Sequence, residues 1–512
     1  MIRCLPLLLA VSAGLGAQLA SGPAIAGPTF VDRRAGLPAE HVYAGGWEHF
    51  VGGGVAVFDC NGDARPDVVA AGGAAPTHLF VNTTPEPLAP LTFAAGALPD
   101  LTAVTGVYPL DIDSDGHLDL AVLRVGPNLL LRGDGACGFT DASAVWGFAQ
   151  GDAWSTAFAA TWEDGQRWPT LIVGNYVNRD DPTGPFEACD ANTLHRPGPA
   201  GYERPILLDP GYCALSMLVS DWQRNGTPEL RISNDRHYYV RDGHEEMWRL
   251  SPLAPRTEAD GWEKVSLWGM GIASGDITGD GFPEVMLTSM GDQLLQFNEG
   301  ERLRNAPFDL GTYAHRPHTG DDGRPSTGWH AEFADVDNDA RLDLFIAKGN
   351  VDQMPSNALR DPNNLLIQQR DGRFVEAAAL AGVATTDRAR GAALADFDGD
   401  GRLDLVVVNR RAPLELWQNT TEGSGNWLGV DLRQTGPNTR AVGAWVELRL
   451  GDTIHAREVT VGGGHAGGQT GPVHFGLGAA TQAEVRVLWP NGAVSDWRLL
   501  TAGRVHRLEH AP

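Results

Sequence analysis

Five acidic segments of nine residues, each placed between two apolar stretches, constrain this chain more than any other feature. Oxygen-bearing side chains occupy positions 1, 3, 5 and 9 of every segment. This spacing lets a short loop surround one hard cation, and Ca²⁺ accepts six to eight oxygen ligands in flexible geometry. The segments span residues 59–67, 111–119, 276–284, 335–343 and 396–404.

We therefore predict up to five Ca²⁺ sites, each with four side-chain ligands and the main-chain carbonyl of position 7. Clustered carboxylates repel one another unless a cation lies among them. Acidic hairpin turns that hold no ion remain the alternative. The predicted ligand residues are Asp59, Asn61, Asp63, Arg65, Asp67, Asp111, Asp113, Asp115, His117, Asp119, Asp276, Thr278, Asp280, Phe282, Glu284, Asp335, Asp337, Asp339, Arg341, Asp343, Asp396, Asp398, Asp400, Arg402 and Asp404.

The EF-hand is a rival interpretation because it places ligands at positions 1, 3, 5 and 7 as well. An EF-hand also needs a bidentate glutamate at position 12 and a helix on each side of the loop. Here position 12 falls inside a strand-like apolar run in all five segments. The residues at that position are Ala70, Val122, Leu287, Ile346 and Val407.

The five segments differ in two ways that bear on ion affinity. Position 6 is glycine in three segments but Ala64 and Ala340 in the others. If the turn requires positive φ, alanine there costs about 1–2 kcal/mol. Asn61 and Thr278 also replace a carboxylate with a neutral oxygen. We therefore predict the strongest binding at residues 111–119 and 396–404.

The acidic segments belong to a larger repeat. Strand-like runs flank each one, and segments 162–170 and 221–229 keep the same frame without the full set of acids. The seven starts lie 51 to 61 residues apart. Four antiparallel strands per repeat make one propeller blade. The sequence thus predicts an all-β, seven-bladed β-propeller over residues 27–424, with residues 29–37 adding the fourth strand of the last blade.

Residues 425–512 break this period and show short runs of alternating polarity, which predict a small antiparallel β-sandwich. The glycine-rich run 462–468 lacks the Gly-Lys-Ser/Thr ending and the following helix of a phosphate-binding loop. We therefore expect it to be a mobile loop.

Both parts of the chain resemble known families. The repeats resemble the FG-GAP/VCBS repeats of integrin-α-like propellers. Residues 426–500 resemble the ASPIC/UnbV domain, through Asn426-Trp-Leu-Gly429, Ala441-Val-Gly-Ala444, Val473-His-Phe-Gly-Leu-Gly478 and Val487-Leu-Trp-Pro-Asn-Gly492. Together they are similar to the cartilage-acidic-protein-like family, as is Gly328-Trp-His330 before Asp335. The resemblance implies an extracellular Ca²⁺-binding protein whose ligands are poorly defined.

The N-terminal segment and the cysteines indicate export. Residues 1–26 resemble a secretory signal cleaved after Ala26, so we expect a secreted or periplasmic protein. The remaining sequence has no apolar run of the length that a spanning helix needs. A formal net charge of −25 argues against nucleic acid as a partner. The four cysteines beyond the signal are predicted to pair as Cys189–Cys213 and Cys60–Cys137.

Two groups of histidines are the main candidates for acid–base or transition-metal chemistry. Such residues are more often solvated loop positions or packed strand positions than parts of a site. One group has neighbouring aspartates and the other neighbouring glutamates. The residues are His315, His318 and His330 with Asp321 and Asp322, and His237 and His244 with Glu245 and Glu246.

These observations favour a non-enzymatic binding or cell-adhesion module whose partner is an extracellular or periplasmic protein or a glycan. Insertion 178–212 is the expected contact region, because binding residues concentrate in loops on rigid scaffolds. The alternatives are a hydrolase, lyase or cyclase that uses the central pocket of the propeller, and a periplasmic assembly factor. Histidine, aspartate and arginine side chains that converge in that pocket would favour the enzyme.

Overall fold

A computed structural model describes residues 27–148, 151–184, 187–235, 242–320 and 323–511. The predicted signal at residues 1–26 lies outside the described residues. The described chain is all-β apart from a few short helical turns. Among these residues, no helix is both long enough and apolar enough to cross a lipid bilayer. The helical turns are Arg34–Gly36, Trp47–His49, Glu258–Asp260, Phe308–Leu310 and the α-helix Ala378–Ala381.

Residues 30–419 form seven antiparallel sheets, one for each sequence repeat, and each sheet contains four strands in this part of the chain. Sheet 1 consists of Val55–Phe58, Asp67–Ala70, His78–Asn82 and Phe93–Ala95. Sheet 2 consists of Val104–Leu110, Asp119–Arg124, Leu129–Gly133 and Phe139–Asp141. Sheet 3 consists of Ser155–Thr161, Thr170–Asn175, Asn192–His195 and Ile206–Leu208. Sheet 4 consists of Ala214–Ser220, Glu229–Asn234, Glu246–Leu250 and Leu253–Pro255.

The remaining three sheets follow the same order. Sheet 5 consists of Gly269–Gly275, Glu284–Ser289, Leu294–Asn298 and Leu303–Asn305. Sheet 6 consists of Gly328–Ala334, Asp343–Lys348, Asn364–Gln368 and Phe374–Glu376. Sheet 7 consists of Ala389–Ala395, Asp404–Asn409, Glu415–Asn419 and the N-terminal strand Phe30–Asp32, which pairs antiparallel with Glu415–Asn419.

Apolar side chains fill the spaces between neighbouring sheets. Val69 and Leu120 belong to one cluster between sheets 1 and 2. Phe80 and Val406 belong to another, which joins sheet 1 to sheet 7. The first strands of consecutive sheets contact one another, and the first strand of sheet 7 also contacts the first strand of sheet 1. The first and last repeats of the chain are therefore neighbours.

Both predicted cysteine pairs are disulfides in the structure. Cys60 and Cys137 are joined with a Cα–Cα distance of 4.9 Å, which links loop 59–67 to the outer part of sheet 2. Cys189 and Cys213 are joined over the same Cα–Cα distance of 4.9 Å. The second bridge closes the insertion against the start of sheet 4.

Insertion 178–212 is more ordered than a lengthened loop. It supplies the third and fourth strands of sheet 3, Asn192–His195 and Ile206–Leu208. It also forms a small hairpin between Pro197–Gly198 and Gly201–Tyr202. The expectation of one long loop was therefore wrong for its second half, because residues 192–208 pair with the sheet.

Residues 426–510 form a β-sandwich that we call the C-terminal sandwich. One sheet contains Asn426–Gln434, Val473–Gly478 and Arg504–His510, and the other contains Trp445–Leu450, Thr453–Glu458, Gln482–Leu488 and Arg498–Thr501. Leu428, Phe475 and Val485 belong to the apolar core between these sheets. The prediction of a purely antiparallel sandwich was wrong in one pairing, because Arg504–His510 runs parallel to Asn426–Gln434.

The glycine-rich run 462–468 is not a mobile loop, so that prediction was also wrong. It lies within residues 459–472, which we call the plug segment and which contact the first strands of sheets 1 to 6. We call the space between the first strands the channel. Main-chain hydrogen bonds join Gly463 N to Met217 O at 2.6 Å and Gly464 N to Ile272 O at 2.6 Å. Strand Gln469–Thr470 pairs parallel with Val55–Phe58. Glycine allows this close backbone approach, since a Cβ on Gly467 would lie 2.2 Å from Val55 O.

His465 holds the centre of the plug segment and is fully buried. Its Nε2 accepts a hydrogen bond from Gly52 N at 3.2 Å, and its Nδ1 donates to Met270 O at 3.1 Å. Its own main-chain N–H donates to His330 Nδ1 at 3.2 Å. These bonds require a neutral imidazole, and burial lowers the pKa of His465 to about 3.

We expect acid to weaken the seating of the plug segment. A histidine whose folded-state pKa lies below its ordinary 6.5 stabilises the fold above that pH and loses this contribution as the pH falls toward 3. Protonation would also place a cation beside Arg390 and His330. The variant His465→Gln should therefore lose less unfolding free energy than the wild type between about pH 6.5 and 4. Urea unfolding at both pH values measures this, with His506→Gln as the control, and equal losses in all three proteins would contradict it.

Candidate metal centres

The five acidic loops lie at one end of the sheets. Each loop connects the first strand of its sheet to the second, as loop 111–119 connects Val104–Leu110 to Asp119–Arg124. The first strands run in the same direction around the assembly, so the loops share one side of it. We call this side the loop face.

The position-1 carboxylate organises each turn by accepting main-chain hydrogen bonds from its own loop. In loop 396–404, Asp396 Oδ1 accepts from Gly399 N at 2.8 Å and Oδ2 accepts from Gly401 N at 2.8 Å. The other four loops repeat this pattern with Asp59, Asp111, Asp276 and Asp335. The carboxylate therefore points into the loop, where a cation would lie.

Position 6 of each loop has positive φ, as the sequence analysis supposed. Gly116 and Gly401 adopt φ values of 94° and 88°, and Ala64 and Ala340 adopt 66° and 74°. The two alanines therefore occupy a left-handed conformation that disfavours a Cβ. Loops 59–67 and 335–343 are strained at this position relative to the other three.

The position-9 acid ties the hairpin to the third strand of its sheet. Asp404 Oδ2 accepts from Phe397 N at 2.9 Å, and its Oδ1 accepts from Asn419 N at 2.8 Å. Equivalent pairs of main-chain bonds reach Asp67, Asp119, Glu284 and Asp343. In each of these sheets, one buried carboxylate at the start of the second strand thus binds both the loop before it and the end of the third strand.

These buried acids resist ionisation in the absence of a cation. Burial raises the pKa of Asp119 and of Glu284 to about 8, and that of Asp67 to about 7. Burial, followed by the neighbouring carboxylates, raises the pKa of Asp404 well above its ordinary value. A cation in the loop would offset this cost by favouring the charged form.

Sheet 4 provides an internal comparison, because its loop 221–229 keeps the turn but has Gln223 and Asn225 in place of acids at positions 3 and 5. There the position-9 residue, Glu229, has a cationic partner, Arg256, at 2.8 Å. Within the described residues, none of the five corresponding acids in the acidic loops has such an ion pair. The position-9 acids of the acidic loops therefore lack the compensation that Glu229 has. Arginines pair instead with aspartates at positions 3 and 5, as Arg132, Arg341 and Arg402 do.

Three loops bring carboxylate oxygens together closely enough to share an ion. In each, one oxygen from each of three aspartates lies within 4.8 Å of the others. The groups are Asp111, Asp113 and Asp115; Asp335, Asp337 and Asp339; and Asp396, Asp398 and Asp404. The two loops with a neutral residue at position 3 do not form such a group among the described residues. Two of the three groups lie in loops 111–119 and 396–404, and the stronger binding expected there stays a prediction.

The donor set suits Ca²⁺ rather than a transition metal. The three groups offer carboxylate oxygens, whereas zinc and copper sites in proteins usually include histidine or cysteine. Arg132 contacts Asp113 at 2.9 Å and Asp115 at 2.8 Å, but its side chain is half exposed and can move away. Cys60 and Cys137 lie beside Asp67, but they are joined as a disulfide and are not free ligands.

Sequence reasoning missed a set of side-chain hydrogen bonds that join three acidic loops, and the non-acidic loop 221–229, to the next sheet. Asn82 Nδ2 donates to Phe397 O at 2.8 Å, and Asn419 Nδ2 donates to Val336 O at 2.8 Å. Both acceptors are position-2 carbonyls of the preceding repeat. Gln368 and Asn298 make the same contact with Ile277 O and Trp222 O, at 2.9 and 2.7 Å. The sequence feature that could have indicated these bonds is an asparagine or glutamine at the end of the third strand.

The Cys60–Cys137 disulfide occupies the equivalent place between sheets 1 and 2. Cys60 is position 2 of its loop, and Cys137 N donates to Cys60 O at 3.3 Å. Gly133 ends the third strand of sheet 2 and has no side chain to form the usual bond. A covalent link therefore replaces the amide hydrogen bond at this boundary.

The histidine candidates do not converge on one site. His315 contacts Asp292 at 2.5 Å on an exposed connection, whereas His318 lies 3.6 Å from Glu376. His330 is buried against the plug segment and lies 3.5 Å from Glu332. His244 Nδ1 contacts Asp242 O at 2.6 Å, whereas the carboxylate of the buried Glu245 accepts a hydrogen bond from Asn234 N at 3.1 Å. The partners suggested at Asp321, Asp322 and His237 lie outside the described residues.

Two family profiles match the chain. One, described as FG-GAP-like repeat, matches residues 59–122 and 335–407, which contain four of the five acidic loops. The other, described as ASPIC and UnbV, matches residues 434–512. The chain therefore contains FG-GAP-like repeats followed by an ASPIC/UnbV region, which confirms the resemblance drawn from the sequence.

The chain is also related to cartilage acidic protein 1. It is 32% identical to the mouse protein over 167 residues, which cover 31% of this chain and 25% of the mouse protein. It is 28% identical to the Xenopus tropicalis protein over 249 residues, which cover 46% of this chain and 35% of that protein. The matched region thus spans about a quarter to a third of these relatives.

Solved structures with similar backbones are more distant. The BP39L lectin from Burkholderia pseudomallei is 13% identical with a TM-score of 0.46, over 72% of this chain and 96% of the lectin. BBS1N in complex with ARL6DN is 11% identical with a TM-score of 0.43, over 76% of this chain and 97% of BBS1N. Similarities this weak carry no functional argument.

We expect the position-6 residues to show their strain directly. Ala340→Gly should raise the free energy of unfolding by about 1 kcal/mol, because it relieves a left-handed alanine. Gly116→Ala should lower it by about 1–2 kcal/mol, because alanine is strained at positive φ. No steric clash adds to this cost, since the new Cβ would meet nothing within 4 Å. Gly401→Ala should cost more, because its Cβ would lie 1.7 Å from Trp427 Nε1. Chemical denaturation of the three variants checks this order, and equal costs for Gly116→Ala and Gly401→Ala would contradict it.

Proposed function

We propose that this protein is an exported, non-enzymatic interaction module whose seven sheets form a closed β-propeller stabilised by Ca²⁺. The observation that carries the proposal is the burial of several acids per loop without a cationic side chain beside the position-9 residue. Hard, flexible oxygen sites of this kind are typical of Ca²⁺. Export is supported by the two disulfides, which are characteristic of oxidising compartments.

Closure of the propeller is supported by contacts at the junction between sheets 7 and 1. Strand Phe30–Asp32 adds to sheet 7 although it precedes sheet 1 in the chain. Asn82 of sheet 1 donates its side-chain hydrogen bond to Phe397 O in the loop of sheet 7. The two ends of the repeat region thus pair in one sheet. This pairing covers sheet edges that would otherwise be open to aggregation.

The partner surface that we propose is the side opposite the loop face. The C-terminal sandwich lies on the loop face, where Gly478 N donates to Asn338 O at 2.8 Å. The first half of insertion 178–212 lies on the opposite side, where Arg179 contacts Glu48 at 2.9 Å. Loops on a rigid scaffold commonly carry binding residues. A protein or a glycan from the extracellular or periplasmic space is the expected partner class.

The enzyme alternative has less support from the centre of the propeller. A catalytic pocket there would need free acid–base groups, but the plug segment passes through this space. His465 and His330 are engaged with main-chain groups of the plug segment and the first strands.

Ca²⁺ removal tests the proposed role of the loops. Modules of this kind bind at about 10⁻⁴–10⁻³ M, so about 10 mM Ca²⁺ should add about 1–3 kcal/mol per occupied site. We expect Asp113→Asn to lower the midpoint of thermal unfolding in Ca²⁺ and to raise or preserve it in chelator, because it removes both a ligand and a repulsion. Asp164→Asn, at position 3 of the non-acidic repeat in sheet 3, is the matched control. A melt of the wild type that is the same with Ca²⁺ and with chelator would overturn the Ca²⁺ role.

Partner binding tests the proposed surface. Replacing residues 180–184 with a glycine–serine linker keeps the ion pairs of Arg179 and the Cys189–Cys213 bridge. On a glycan array and in pull-downs from the native extracellular fraction, this variant should lose the ligands that the wild type retains. Leu499→Ser, an exposed change on the C-terminal sandwich, is the control. Unchanged binding by the loop variant would place the partner elsewhere.

A further inference from the structure

The C-terminal sandwich contacts the acidic loops through the same carboxylates that we propose as Ca²⁺ ligands. Thr439 Oγ1 donates a hydrogen bond to Asp111 Oδ2. Ala456 N donates to Asp276 Oδ2 at 3.2 Å. Both acceptors occupy position 1 of their loops. The sandwich therefore helps to orient the position-1 carboxylates of two loops, in the way that hydrogen bonds to ligand side chains orient them in metal sites.

Further contacts reach two more loops through the main chain. Gly425 N donates to Asp337 O at 2.9 Å, and Gly478 N donates to Asn338 O at 2.8 Å. His474 Nε2 donates to Gly401 O at 3.0 Å. These bonds depend on where the loops place their carbonyl oxygens. In all, four acidic loops contribute to the surface on which the sandwich rests.

Two arginines of the sandwich lie near pairs of neighbouring loops. Arg457 is subject to the negative charges of Asp276 and Asp335, and Arg440 to those of Asp111 and Asp59. Burial lowers the pKa of both guanidinium groups. A cavity of about 620 Å³ separates the sandwich from the first strands beside these arginines. Beside this cavity the sandwich is held by its hydrogen bonds to the loops. The Arg224–Glu447 ion pair at 2.6 Å and the apolar contact of Val442 with sheets 2 and 3 add to them.

The plug segment is the connection between the two strands that make these contacts. Strand Thr453–Glu458 precedes it and contains Ala456, and strand Val473–Gly478 follows it and contains His474. The sandwich cannot move away from the loops without pulling the plug segment from the channel. Conversely, a plug segment that cannot enter the channel holds both strands away from the loops.

We propose that cation binding by the acidic loops and insertion of the plug segment are thermodynamically linked, so that Ca²⁺ keeps the channel closed. This inference rests on the proposed Ca²⁺ role. Without cations, the carboxylates repel one another and the loops lose the conformation that the sandwich recognises. With cations, the loops are fixed and the sandwich is held on them. Linkage is reciprocal, so a change in the plug segment alters Ca²⁺ affinity although it alters no ligand.

Hydrogen exchange on the full chain tests the first half of the linkage. On chelation below the unfolding temperature, the amides of residues 461–470 should exchange at least about tenfold faster, a typical size for coupling between sites. The central amides of the second strands Thr170–Asn175 and Glu229–Asn234 serve as the control, since their sheets lack the full set of acids and these strands make no bond to the plug segment among the described residues. Equal acceleration in these strands would indicate general unfolding and would overturn the proposal, as would unchanged exchange at 461–470.

A pair of substitutions tests the second half. Gly467→Leu should block insertion, because its Cβ would lie 2.2 Å from Val55 O, whereas Gly471→Leu in the same segment meets nothing within 4 Å. Calorimetric Ca²⁺ titration should show an affinity about tenfold lower for Gly467→Leu and unchanged for Gly471→Leu. Equal affinities would overturn the linkage. A wild type that binds no Ca²⁺ would refute the proposed function itself, which separates the two failures.

Discussion

Several carboxylates buried in one tight turn, with no cationic side chain beside the position-9 acid, are the constraint on which the rest of this structure depends. Position 1 arranges the turn, and position 9 connects that turn to the third strand of the sheet. In loop 396–404, both Asp396 and Asp404 resist ionisation because they are buried. A divalent cation lowers this electrostatic cost at the point where the hydrogen bonds of the hairpin converge.

The acidic loops also take part in joining neighbouring repeats. The position-2 carbonyl of a loop accepts the side-chain bond from the next sheet, as Val336 O accepts from Asn419. An ion that ordered one loop, as we propose, would therefore also order a contact between two sheets. The same loops form the base for the C-terminal sandwich. In our account, the loop face holds the sheets and the sandwich together, and the opposite face is the surface that we propose for partners.

Local features of the fold could be predicted from the sequence. The acidic segments mark hairpins because their residues determine the turn directly, and the alternating apolar runs beside them form strands. Cys189 and Cys213 bracket a single insertion, so their pairing was also visible. The pairing of Phe30–Asp32 with Glu415–Asn419 follows from a strand missing at one end of the repeat and present at the other.

Features that depend on distant parts of the chain could not be predicted. The run 462–468 consists mostly of glycine, which in isolation indicates mobility, and its order comes from the first strands around it. Asn82 and Asn419 look like ordinary polar strand ends until the neighbouring carbonyl is placed beside them. His315 and His330 are close in sequence, but one lies on a connection and the other in a first strand. Proximity along the chain was a poor guide to a shared site.

A crystal structure determined in the presence of Ca²⁺, with anomalous scattering to locate the ions, tests the central claim most directly. Our account predicts ions among the aspartates of loops 111–119, 335–343 and 396–404, with Arg132 displaced from Asp113 and Asp115. Loops that hold no ion at saturating Ca²⁺, with Arg132 still bound to both aspartates, would contradict it.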